Sequence, residues 1–187
     1  MHHAAALSLL AALAVPAAFA QTAADLSALD ASCWAEERWV ATGTPIAGGQ
    51  AASRLEAGAA ALTRLASEVR EDPGATVTTD PLDWDADYNG AMDDRSETYA
   101  VGGTSATFHD GSGVLFGLVV VGDLDVSDGL AVGAEWDPSA VGRPQSVCDA
   151  DGTTVYRYEF GEETTDVINV FITDGEVVGL GYLPYSG

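Results

Sequence analysis

The sequence predicts an α+β fold in which two N-terminal helices pack on a mainly antiparallel β-sheet as a two-layer domain. Three observations lead there. Apolar residues recur at helical spacing as far as Glu71, alternation and strand-forming residues replace that pattern after Pro73, and the pairs Gly102-Gly103 and Asp174-Gly175 sit between strand-like runs as hairpin turns. Residues 21–187 read as a single domain, with a helical part over 21–72 and a β-rich part over 75–187.

The chain opens with a segment of different character. An apolar run from Ala4 to Ala14 leads into Ala18-Phe19-Ala20, with small residues three and one positions before Gln21. The run is too short to span a bilayer and ends in signal-peptidase chemistry, so Met1–Ala20 reads as a secretory signal peptide. His2 and His3 stand where such leaders usually carry positive charge. The expected product is exported to the periplasm or exterior, and neither cysteine lies at the cut, so no lipid anchor through cysteine is expected.

The first helix is expected over Ala24–Val40. Leu26, Leu29, Cys33 and Val40 form its apolar stripe, and Asp25, Asp30, Glu36 and Glu37 fall mostly between them. Gly43, Pro45 and Gly48-Gly49 then break the chain into a loop. A second helix follows from about Gln50 to Glu71, its core stripe Leu55, Ala59, Leu62, Leu65 or Ala66, and Val69, and Pro73-Gly74 ends it. Beyond that point the strand candidates are Thr76–Thr79, Thr98–Val101, Ser105–His109, Val114–Val121, Thr153–Phe160, Asp166–Thr173 and Glu176–Tyr182. The nearly unbroken apolar run Val114–Val121 is expected to be a central strand covered on both faces.

Charge narrows the partners. Seven Lys+Arg face 29 Asp+Glu, a formal net charge of -22, and all the basic residues are Arg. Nucleic acid and anionic lipid are repelled by such a surface, no transmembrane segment is foreseen, and self-repulsion makes stability depend on salt. Cys33 and Cys148 are the only cysteines, and in an exported chain they are expected to form one disulfide joining the first helix to the C-terminal sheet.

The densest polar cluster runs from Asp83 to Glu97. With Asp85 as position one, Asp87 and Asn89 fall at three and five, Gly90 takes the sharp turn at six and Met92 falls at eight, as in an EF-hand calcium loop. Alternate oxygens there would surround one hard cation. Position twelve is Ser96 rather than a bidentate Glu, and no helix pattern follows. The segment therefore reads either as a solvated acidic loop or as a looser Ca²⁺ site of Asp85, Asp87, Asn89, Asp93 and Glu97, with affinity of about 10⁻⁴ to 10⁻³ M. Trp84 and Tyr88, set among these carboxylates, are the aromatics expected to be exposed and to suit a binding surface.

Catalytic patterns are sparse. His109 is the single histidine after residue 20, no Gly-x-Ser-x-Gly elbow occurs, a lysine-free chain has no phosphate-loop lysine, and no Cys/His set has zinc spacing. Acids abound, but nothing singles out a pair for a hydrolase.

The stretches Gly129–Gly133, Val141-Gly142-Arg143-Pro144, Thr153–Tyr158, Val167–Ile172 and Asp174–Val178 follow one another in a characteristic order. Together they resemble the SmpA/OmlA outer-membrane assembly lipoprotein family and related β-lactamase-inhibitor-like modules. The resemblance covers about 55 residues and implies helices on an antiparallel sheet, in proteins that scaffold or bind other proteins of the cell envelope. It departs from that pattern in lacking a lipidated cysteine and in a short Gly133–Gly142 interval containing Pro138. The functional expectation is an exported, non-enzymatic acidic domain that binds a protein or envelope ligand without a cofactor. A calcium-binding or calcium-stabilised module is the first alternative and a carboxylate-dependent hydrolase the second.

Overall fold

The computed structural model describes residues 21–44, 46, 49–82, 95–122, 124–127, 129–161 and 165–184. In chain order the elements are α1 (Ala23–Ala35), β1 (Val40–Ala41), α2 (Gly49–Glu71), β2 (Thr76–Pro81), β3 (Arg95–Val101), β4 (Thr104–His109), β5 (Leu115–Val121), β6 (Leu124–Ser127), β7 (Leu130–Val132), α3 (Pro138–Val141), β8 (Ser146–Ala150), β9 (Thr153–Phe160), β10 (Asp166–Thr173) and β11 (Glu176–Leu183). Nine strands form one sheet in the order β1-β8-β9-β10-β11-β5-β4-β3-β2, and β6 pairs with β7 apart from it. Every pairing between these strands is antiparallel, and an isolated parallel bridge joins Ile46 to Phe160.

This overturns the two-layer expectation of two N-terminal helices packed together on a sheet. The described chain is mostly β, with one long helix, α2, and the helices do not share a layer. Alternate residues of β5 part the two cores: Leu118 and Val120 pack with Leu55, Leu62 and Val69 of α2, while Val119 and Val121 pack with Leu26, Leu29 and Cys33 of α1. α1 and α2 thus cover opposite faces of the sheet, and the short α3 joins the core of α2 through Val141. Periodicity identifies a helix's apolar stripe but not the side of the sheet that receives it, which is why the layer count was not readable from the stripes alone.

The α2 stripe is rich in small residues. Ala52, Leu55, Gly58, Ala59, Leu62, Ala66 and Val69 are buried, and a Cβ on Gly58 would come within 2.9 Å of Leu130 Cδ1, so the helix axis lies close over β7 and β10. Burying a Leu such as Leu55 or Leu62 contributes about 1.5–3 kcal/mol, which holds α2 on its face. The hairpin signals are used as such: Gly102 and Gly103 link β3 to β4 at φ 57° and 83°, and Asp174-Gly175 links β10 to β11 at φ 53° and 84°.

The first helix ends earlier than the apolar pattern suggests. It stops at Ala35, and Glu37 takes φ 52°, turning the chain so that Val40 joins the edge strand β1 opposite Val147 instead of extending the helix. Strand β8 also lay outside the sequence reading, because Cys148-Asp149 amid turn-forming residues gives little alternation. The short Gly133–Gly142 interval holds the four-residue α3, capped by Asp137 through Ser139 N.

Among the described residues no helix is long and apolar enough to cross a membrane. Cys33 and Cys148 are bonded to each other, joining α1 to β8.

Candidate binding groove

The groove is built by what α1 covers and what it leaves open. Thr22 caps the helix reciprocally with Asp25: its hydroxyl accepts from Asp25 N at 3.2 Å, and Asp25 Oδ2 accepts from Thr22 N at 2.8 Å. Those hydrogen bonds, first the backbone one and then the hydroxyl, hold the Asp25 carboxyl below its ordinary range. With its start fixed, the helix lies over one transverse row of the sheet, Val121, Gly179, Phe171, Val155 and Cys148, neighbours on successive strands. Leu26 sits against Gly179, the position where any Cβ would collide with its Cδ1, and Cys33 is bonded to Cys148 at the far end of the row.

The next row is only partly covered. It runs Ser105, Val119, Gly181, Asn169 and Arg157 across β4, β5, β11, β10 and β9. Gly181, and Gly117 opposite Thr107 nearby, leave this face without side chains along a short furrow. The result is a half-open groove of about 260 Å³. Ser27 and Asp30 of α1 form one wall, Ser105, Thr107 and Phe116 lie on the strand side, and Asn169, Phe171 and Leu183 complete it.

One polar pair organises the groove. Asn169 is 2% exposed, and its Nδ2 donates to Asp30 Oδ1 at 3.0 Å. Its own Oδ1 is buried and has no hydrogen-bond partner. Burial pushes the Asp30 carboxyl above its ordinary range, and the field of Arg157 partly opposes that shift. Arg157 is engaged in part: its Nε donates to Glu159 Oε1 at 2.9 Å, its guanidinium carbon lies 5.0 and 5.9 Å from the ring centres of Trp34 and Trp39, and its Nη1 is buried without a hydrogen-bond partner. Among the described residues the ion pairs are Arg38–Glu36 and Arg157–Glu159, so the Asp30 carboxylate has no salt-bridged cation.

The residues singled out in the sequence are distributed differently. Asp85, Asp87, Asn89, Asp93, Trp84 and Tyr88 lie outside the described residues, as do Met1–Ala20. Glu97 is in β3 and accepts from the Tyr99 hydroxyl at 2.8 Å. No group of three or more His, Cys, Asp or Glu side chains placed to hold a metal occurs among the described residues. His109 Nδ1 and Ser112 Oγ are 2.9 Å apart at the β4–β5 turn, and the imidazole meets the Phe116 ring edge-on at 5.6 Å. Tyr158 and Tyr182 are core residues, with burial raising both phenols, and Trp136 stacks on Tyr156 at 5.9 Å.

Sequence reasoning missed the Asp30–Asn169 pair, although each half left a signal. Asn169 interrupts Val167-Ile-Asn-Val-Phe-Ile172, and a polar side chain inside such a run must find a partner. Asp30 follows Leu26 by four and precedes Cys33 by three, which puts it beside the buried stripe of α1 rather than opposite it. Comparison with family models, with characterised proteins and with solved structures finds no match to this chain.

Proposed function

We propose that this chain is an exported, acidic recognition domain that binds a protein or other envelope ligand in the groove between α1 and the sheet, without transforming it. The observation that carries the reading is the Asp30–Asn169 pair at the wall of a half-open groove. It offers an oriented acceptor, neighbouring hydroxyls and an aromatic ring, which is the composition of a recognition pocket. The Cys33–Cys148 bond supports export to an oxidising compartment, as the N-terminal sequence also suggests. The motif order that resembles envelope scaffold proteins points the same way. A net charge of -22 favours a cationic partner surface over nucleic acid or anionic lipid.

Site-specific photocrosslinking tests the reading. A benzoylphenylalanine replacing Phe116, in the groove, is expected to capture a defined envelope partner, whereas the same group at the exposed Glu56 of α2 captures none. Identical products from both positions, or no product at Phe116, would refute groove-mediated recognition. Substrate turnover abolished by Asp30→Asn would replace it with the hydrolase alternative.

A further inference from the structure

We propose that the groove receives a lysine side chain displayed by a partner protein, with the Asp30 carboxylate as counter-ion to its ε-ammonium and the furrow at Gly117 and Gly181 as the bed for its aliphatic stem. The inference rests on the recognition reading above and names its chemistry. A partly buried carboxylate without a salt-bridged cation is a costly group to keep, and a ligand cation relieves the cost. Arg157 lies close enough to be felt, with its Nε held by Glu159 and its guanidinium over two indole rings, but it forms no ion pair with Asp30 and its Nη1 is buried without a hydrogen-bond partner. The Asn169 amide fixes one carboxylate oxygen and is itself a donor, so an incoming donor group is directed to the remaining acceptor positions of Asp30.

Size and surroundings fit the same ligand. The cavity of about 260 Å³ is below the usual range of small-molecule pockets, roughly 300–1,000 Å³, and matches one long side chain better than a whole cofactor. An ammonium brings three donors, and Asp30, Ser105 and Thr107 supply oxygens around the groove. Phe116 and Leu183 flank the furrow, an apolar surround in which the methylene groups of a long side chain are buried. The chain contains no lysine, so no lysine of its own or of a second copy competes for the place. The strongly negative whole molecule steers a cationic partner towards it.

The test uses the disulfide-bonded chain from residue 21 and amide-resolved NMR titration with Nα-acetyl-lysine methylamide at low salt. Shifts are expected to concentrate on Ser105, Thr107, Gly117 and Gly181, and the Nε-acetylated probe is expected to leave them unmoved. Asp30→Asn alters one charge among many acids, so a loss of at least tenfold in affinity separates a specific counter-ion from general attraction. Gly117→Val fills the furrow while leaving Asp30 in place, and its new Cβ meets only the flexible end of Leu183, at 3.2 Å, and Tyr182 O at 3.6 Å. It too is expected to weaken the probe at least tenfold. Equal binding of the acetylated probe, or unchanged binding by either folded variant, overturns the proposal. Acetylating the lysines of the envelope extract separates the two levels. If the Phe116 crosslink survives that treatment, recognition stands and the ammonium reading falls; if no crosslink forms on untreated extract either, recognition itself falls.

Discussion

Breaking the Cys33–Cys148 bond should loosen α1 before the rest of the sheet and should cost a large part of the total stability. The bond spans a sequence separation of 115 residues. The chain-entropy relation then gives about 4.8 kcal/mol of denatured-state restriction at 25 °C, and measured values for disulfides more often fall near 2–4 kcal/mol. At roughly 2–4 °C per kcal/mol for a chain of this size, reduction is expected to lower Tm by roughly 5–15 °C. Calorimetry on oxidised and reduced wild type reads the loss of the cross-link without deleting side-chain atoms from the core. Cys33→Ala/Cys148→Ala adds the effect of two small cavities in the core shared with Leu26, Leu29 and Phe171. Hydrogen exchange on the reduced protein should rise first across Ala23–Ala35, since that helix buries few side chains of its own. An unchanged Tm on reduction would refute the argument that the bond holds α1 in place. Exchange rising uniformly over α1 and β9–β11 would refute the claim that α1 is the separable unit.

Gly179→Ala should destabilise the protein by about 1–3 kcal/mol in urea titrations, because the added methyl would overlap Leu26 Cδ1 and sit 2.8 Å from the carbonyl of Val120, a backbone atom with little room to yield. Asp30 should make stability fall with rising pH. Its folded carboxyl is raised by burial, so its contribution is full below the unfolded value of about 4 and is lost as pH climbs through the raised value. Asp30→Asn, measured by chemical denaturation across that window, should therefore gain on wild type as pH rises; parallel curves would contradict the burial argument. Added NaCl should raise Tm, as screening relieves the self-repulsion of a chain carrying a net charge of -22, and a flat or falling Tm would contradict it. A calcium site at Asp85, Asp87 and Asn89 requires calorimetric heat at about millimolar Ca²⁺, lost in Asp85→Asn, and a flat titration leaves the segment a solvated acidic loop.

What the sequence made legible was whatever depends on local pattern. The α2 stripe from Leu55 to Val69, the Gly102-Gly103 and Asp174-Gly175 hairpins and seven of the strands follow from spacing and turn chemistry, and the cysteine pair follows from counting. What it hid depends on registration between distant segments. Nothing local distinguishes two helices on one face from one on each, although the doubly apolar run Val114–Val121 was a sign that both faces would be covered. The same holds for the groove. Gly179 and Gly181 differ by two positions on one strand and point the same way, yet one is filled by Leu26 of α1 and the other lies against the Phe171 ring and Asn169 at the floor of the groove, because α1 crosses only the first of two adjacent rows. The carboxylate beside that opening is 139 residues from the amide that orients it. A recognition site of this kind is made where packing stops, and a stripe pattern records only where packing occurs. The readable trace is instead a local inconsistency: an asparagine in the middle of an apolar strand and an aspartate beside a buried helix stripe, each unfavourable alone and each explained by the other.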